Sequence, residues 1–233
     1  MHNVVIDLVK PTVSDQLLML DSNEIKRAKE YFKRLARFQN LSVKKPLKGH
    51  EGNGVHQWGS KTIWVHPIRD KGDFMTCLHE VGHSINFCSL LSGIVRSEYE
   101  AEMFAIRRAR HFGIDNAFLV EYEKHAKLYV AAYLDAGFKL SKLAWSDLSL
   151  EVQEVATWLG VTQSIWDNAT ELPFTNKREI IVKPGTGVPL ISRRSNTENE
   201  LVTREYERIS LEGIHSTFDS ITLDLIKFNE ATV

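Results

Sequence analysis

The sequence predicts an α+β fold, and three observations carry the prediction. Apolar residues recur at helical spacing over 21–38, 73–90, 97–111, 116–136 and 147–159. One β-branched and aromatic run, "KTIWVHP" at 61–67, reads as a strand ending at Pro67. Pro and Gly punctuate "LSVKKPLKGHEGNG" at 41–54, which reads as loop. The expected arrangement is a small antiparallel sheet packed on helices.

Taken in order, the start "MHNVVIDLVKPTVSDQ" lacks a basic segment followed by a long apolar one, so it reads as part of the mature fold. In "DSNEIKRAKEYFKRLARF", Asp21 or Ser22 caps a helix whose apolar stripe is Ile25, Ala28, Phe32, Leu35 and Phe38. The helix over 147–159 is closed by Gly160, a natural residue just past a C-terminus. Beyond that, "KREIIVKPGTGVPLIS" at 177–192 suggests two short strands around a turn. "FDSITLDLIKF" at 218–228 suits helix and strand alike. The domain reading is 1–160 as the main domain and 161–233 as a C-terminal extension.

Composition narrows the functional classes. A hydrophobic fraction of 43% in 233 residues allows a sizeable core. The formal charge of −1 gives no global pull toward nucleic acid or an anionic surface. Nine basic residues cluster between Lys26 and Lys48; they read best as a solvated helix face, with nucleic-acid binding through this helix as a third reading, in which binding is salt-sensitive and is abolished by neutralising Lys29, Lys33 and Arg37. No apolar stretch reaches the length of a spanning helix, so no membrane partner is expected. Cys77 and Cys88 would lie about 16 Å apart on one helix, too far to pair. Two unpaired thiols fit a reducing, cytoplasmic setting.

The chemistry is concentrated in "CLHEVGHSI", 77–85. Four residues apart on a helix, His79 and His83 project from one face, with Glu80 at its flank. Phe74, Cys77, Leu78, Val81, Ile85 and Cys88 gather on the other side. Two imidazoles one turn apart can bind Zn2+, and the adjacent glutamate can take a proton from an activated water. Gly82 then leaves room beside the metal. A catalytic zinc needs one more protein ligand, and "SEYEAEMFA" at 97–105 offers Glu98 and Glu102 on one face. Ser97 and Glu100 form a possible capping box there, which would make Ser97 the helix start. Spacing leaves the choice between Glu98 and Glu102 open.

"LHEVGH" followed by "EYEAEMFA" resembles the ImmA/IrrE metallopeptidases, gluzincin-type proteases with HExxH and a later E-x-x-A-N-x-F-A. Position by position, Glu98 takes the place of the ligand, Ala101 the alanine, and Phe104 and Ala105 the Phe-Ala pair. Glu102 stands where the asparagine usually is. In related gluzincins an acidic residue four after the ligand accepts a hydrogen bond from the first zinc-bound histidine. Glu102 would do this for His79, or else be the ligand itself.

The resemblance covers about 60–110. It implies a zincin-like fold and a zinc metallopeptidase, with Glu80 as general base and a protein or peptide substrate. The alternative is a zinc-binding regulatory or interaction module without catalysis. Candidate donors to a developing oxyanion are His56, Tyr99, His111, Tyr122 and His125, while His66 is a weaker candidate ligand. Trp58 and Trp64 are candidates for the flanks of a peptide groove along the 61–67 strand.

Overall fold

The computed structural model describes residues 5–46, 55–56, 61–85, 93–141, 143–176 and 191. The expected strands within 177–190, the 218–228 segment, Cys88 and Trp58 lie outside the described residues. The described part is mostly helical, with one small sheet.

The elements run α1 (Asp15–Leu18), α2 (Ser22–Phe38), β1 (Ser42–Lys44), β2 (Val55–His56), β3 (Thr62–Trp64), α3 (Lys71–Ile85), α4 (Gly93–Phe112), α5 (Asn116–Ser141), a 3-10 turn (Trp145–Asp147), α6 (Leu150–Trp158) and α7 (Gln163–Asn168). They form two compact units. One comprises Lys10–Phe87 and Glu98–Ala126; the other comprises Met1–Val9, Cys88–Ser97 and Lys127–Val233, so the chain passes residue 160 inside the second unit.

In the first unit, α2 starts where the sequence said it would, at an Asp21 cap. The Asp21 carboxylate accepts from the N–H groups of Asn23 (2.7 Å) and Glu24 (2.8 Å), and the Glu24 carboxylate accepts from the Asp21 N–H at 2.8 Å. This reciprocal box satisfies donors that a bare helix end leaves open. The helix ends as Asn40 turns left-handed (φ 55°) and the Leu41 N–H bonds back to the Ala36 carbonyl at 2.9 Å.

That ending leads directly into β1. The sheet order is β1-β3-β2, with β1 parallel to β3 and β2 antiparallel to it. The expected all-antiparallel sheet is therefore corrected to a mixed one. The chain reverses direction twice between β1 and β3, so these two run the same way, and β3 lies between the others. Its Ile63 and Trp64 are buried, whereas all three residues of β1 are exposed.

The core of this unit gathers around α3. Phe74, Met75, Leu78 and Val81 are fully enclosed and share one cluster with Ile63, Phe104, Ala105 and Phe118. Each such side chain contributes about 1.5–3 kcal/mol on burial. Lys71 fastens the start of α3: its ammonium donates to the Leu17 carbonyl (2.9 Å) and to the Asp115 carboxylate (2.7 Å). Asp115 in turn caps α5 by accepting from the Phe118 N–H at 2.8 Å. No helix among the described residues is long and apolar enough to cross a membrane.

In the second unit, Trp166 packs edge-on against Phe138 and donates its indole N–H to the Leu143 carbonyl at 2.9 Å. The α6 helix is capped by Ser149 and ends at Gly160 (φ 87°), which permits the Val161 N–H to reach the Ala156 carbonyl at 2.8 Å. Ile6 pairs with the chain at Phe174, and the Ile6 N–H donates to the Pro173 carbonyl at 2.8 Å.

The α2 cap gives a first check. Asp21→Ala should lower stability by about 1 kcal/mol in urea unfolding while leaving the metal content of the purified protein unchanged.

Candidate metal centre

α3 is buried on more than its apolar stripe. His79 and Glu80 are only 8% and 5% exposed, and Val81 and Gly82 are buried with them. The polar face that the sequence places opposite the core is covered by α4.

α4 begins at Gly93, not at Ser97, because Ile94 and the fully buried Val95 extend the apolar pattern upstream. Ser97 is 3% exposed inside the helix, so the expected capping box with Glu100 is corrected. Glu98 consequently lies more than a turn into α4, on a rigid stretch of helix.

Three side-chain atoms converge between the helices. The His79 Nε2 and His83 Nε2 atoms are 2.9 Å apart, and the two rings stand nearly perpendicular at 88°. Glu98 Oε2 lies 3.3 Å from the first nitrogen and 3.5 Å from the second. A tetrahedral zinc with ligands at about 2.0–2.1 Å holds them about 3.3 Å from one another. The triangle matches one face of such a site. His79, His83 and Glu98 thus form a group able to hold a metal ion.

The hydrogen bonding fits a cation as well. Glu98 Oε2 is buried and has no hydrogen-bond partner of good geometry among the described residues. A buried carboxylate oxygen in that position is costly unless something positive faces it. Behind the triangle, Glu102 Oε1 lies 3.3 Å from His79 Nδ1, with Glu102 itself 3% exposed. In the neutral imidazole, a proton on Nδ1 facing that carboxylate would leave the Nε2 lone pair directed at the triangle. Glu98 therefore faces both imidazoles, and Glu102 stands behind one of them.

Charge and burial compete at each group. Burial opposes the charged form of His79, but Glu102 and Glu98 outweigh it and hold its pKa well above the ordinary value. For Glu98, burial works against the carboxylate, yet His83 and His79 keep its pKa far below the usual range. Burial dominates at Glu80 and pushes its pKa up despite both histidines. Among the described residues no hydrogen bond occupies the Glu80 carboxylate.

Gly82 has a different task from the one its position suggests. A Cβ there would meet the Ala101 Cα at 2.8 Å, its carbonyl oxygen at 3.1 Å and its Cβ at 3.3 Å. The missing side chain makes room for the α4 backbone, not for the metal. Sequence reading had assigned Ala101 only a matching position, yet it is the residue against which the metal helix closes. The signal was present: a glycine inside a helix costs roughly 1 kcal/mol relative to alanine and wants a packing reason.

The other candidates fall elsewhere. His111 is exposed near the end of α4. Tyr122 and His125 stack on each other with centroids 5.7 Å apart. Tyr99 lies beside Glu98 in α4, and His56 pairs with Ile63 in the sheet. His66 offers its backbone carbonyl to the Cys77 thiol at 3.7 Å and is not in the ligand group. Trp64 is 3% exposed beneath the Lys44 ammonium, so it is core and not the flank of an open groove. Cys77 is a buried free thiol, its pKa raised by burial.

The fold and site together define a mainly helical α+β protein with a His-His-Glu group that could hold a metal ion. Compared with known proteins, the chain matches no family model, no curated protein and no solved structure.

Two substitutions probe this geometry. Gly82→Ala should force α3 and α4 apart, lowering metal affinity at least tenfold and stability by roughly 1–3 kcal/mol, read by metal titration and thermal melting. Glu102→Gln should weaken metal binding by about 10–100-fold without abolishing it, as loss of a carboxylate behind a ligating histidine does.

Proposed function

We propose that the chain is a zinc-dependent metallopeptidase of zincin-like fold, similar to the ImmA/IrrE gluzincins, with His79, His83 and Glu98 as ligands. The observation that carries this reading is the convergence of the two Nε2 atoms and Glu98 Oε2 within 2.9–3.5 Å, one residue away from a buried glutamate. Two imidazoles and one carboxylate are a donor set that catalytic zinc uses. The same set suits ferrous iron in oxygenases. Glu80, beside the first ligand with its carboxylate pKa raised by burial, favours hydrolysis because that chemistry needs a proton acceptor there.

Zinc in this site would polarise a scissile carbonyl and make a water acidic near neutral pH. Glu80 then accepts the proton from the attacking water and returns it to the leaving amine. Its raised pKa brings acceptor and donor roles closer to neutral pH. Glu102 keeps the His79 ring in the ligating tautomer. The substrate class is a protein or peptide, and the setting is cytoplasmic.

Two variants test the proposal against a zinc-holding module without catalysis. Purified without chelator, the native chain should carry one zinc and cleave casein or itself. Glu80→Gln should keep the zinc and lose activity by about 100-fold or more. His79→Ala should lose both. Zinc retained with no cleavage by the native chain, across casein and self-cleavage assays, would favour the module; absence of zinc would remove both readings.

A further inference from the structure

We propose that the exposed face of α2, together with the end of α4, binds the phosphate backbone of a nucleic acid. The near-neutral total charge had argued against such a partner. The structure changes that balance by showing where the charges go.

Lys26, Arg27, Lys29, Lys33, Arg34 and Arg37 are all exposed on α2. Lys33 pairs with Glu30 at 2.9 Å, and Arg37 and Arg34 also lie near enough to that carboxylate to favour its charged form. Lys26, Lys29, Lys33 and Arg37 follow helical spacing and form one outward row. At about 1.5 Å per residue the row spans roughly 16 Å. A duplex strand presents one phosphate per about 3.4 Å of its axis, so about five phosphates of one strand lie along that length.

α4 widens the surface. Arg27 lies over the Phe112 ring at 5.3 Å, which brings α2 against the end of α4. Arg107, Arg108 and Arg110 are exposed on that part of α4; by helical spacing Arg108 lies about 40° from Phe112 and so on the α2 side, whereas Arg107 and Arg110 lie about 140–160° from it. Meanwhile Glu80, Glu98 and Glu102 of the same unit are turned inward at the metal centre and do not offset this surface. Within α2 itself six cations stand against Glu24 and Glu30, so the helix carries a formal charge of +4 although the chain as a whole is near neutral.

The chemistry of the face selects the partner. A helix that lies on a membrane must offer an apolar face to lipid. The apolar face of α2, Ala28, Phe32 and Ala36, is already buried in the protein's own core. A protein partner usually finds an apolar or aromatic centre within a polar rim. The outward row of α2 has none. The row, cationic at four positions with Glu30 beside Lys33, fits a polyanion whose charges repeat, whereas the exposed Phe38 lies about 100° round the helix from Arg37 and is outside the row.

The test uses the full chain and labelled 20-mers of mixed sequence, single-stranded and duplex, in fluorescence anisotropy. Binding should weaken steeply between 50 and 200 mM salt. The quadruple variant Lys26→Gln, Lys29→Gln, Lys33→Gln, Arg37→Gln should bind at least about tenfold more weakly at 50 mM salt, with a salt slope shallower by about 2–4. Its melting temperature and zinc content should match the native chain, which keeps this result separate from the metallopeptidase reading. No binding by the native chain, binding indifferent to salt or to the quadruple variant, or capture by phosphatidylserine vesicles in place of nucleic acid would overturn the proposal.

Discussion

The candidate metal centre depends on how closely two helices approach at one point. Gly82 stands three residues after His79 and one before His83; Ala101 stands three after Glu98 and one before Glu102. The Gly82–Ala101 contact is thus at the middle of the four polar side chains. Its closeness, with no room for a Cβ at 2.8 Å from the Ala101 Cα, decides whether Glu98 reaches both imidazoles. Helices held apart by ordinary side chains pack with axes about 8–10 Å apart, and small residues at the crossing allow the near end of that range. The geometry of the ligands is in this sense set by packing, and the chemistry inherits it.

Burial makes that geometry consequential. Glu80, Glu98 and Glu102 bring three carboxylates into a space shared with two imidazoles. Charges so far from water are tolerated only when paired and well placed. The imidazoles satisfy part of the demand, as the opposite displacements of the His79 and Glu98 pKa values show. A divalent cation between Glu98 and the two nitrogens would satisfy the rest. The surrounding core, from Phe74 to Val81 on α3 and Phe104 on α4, holds the ligands on rigid elements, which is what a preorganised site requires.

The legible parts of the sequence were those written in local physics. A capping residue at Asp21 or Ser22 announced the start of α2, Gly160 the end of α6, and the His79–His83 spacing a shared helix face. Glu98 and Glu102 were legible as a pair, and only the tertiary arrangement shows which faces the imidazoles and which stands behind His79. The misreadings have tertiary causes. β1 is three exposed residues with no alternation, so neither its presence nor its parallel pairing had a local signal. Ser97 looked like a cap because its side chain suits one, but buried Val95 carries the helix a turn further upstream. Gly82 has no local signal for which neighbour it makes room for, because that neighbour, Ala101, is nineteen residues away in the chain.

Charge shows the same limit of local reading. A whole-chain sum near zero says nothing about which carboxylates face water, and in this protein three of them face the metal centre. The most direct measurement of the central claim is an anomalous difference map at the zinc edge from crystals of chelator-free protein. The account predicts a single strong peak at about 2.0–2.2 Å from His79 Nε2, His83 Nε2 and a Glu98 oxygen. A featureless map between α3 and α4, or a peak whose third protein ligand is Glu102 and not Glu98, would contradict it.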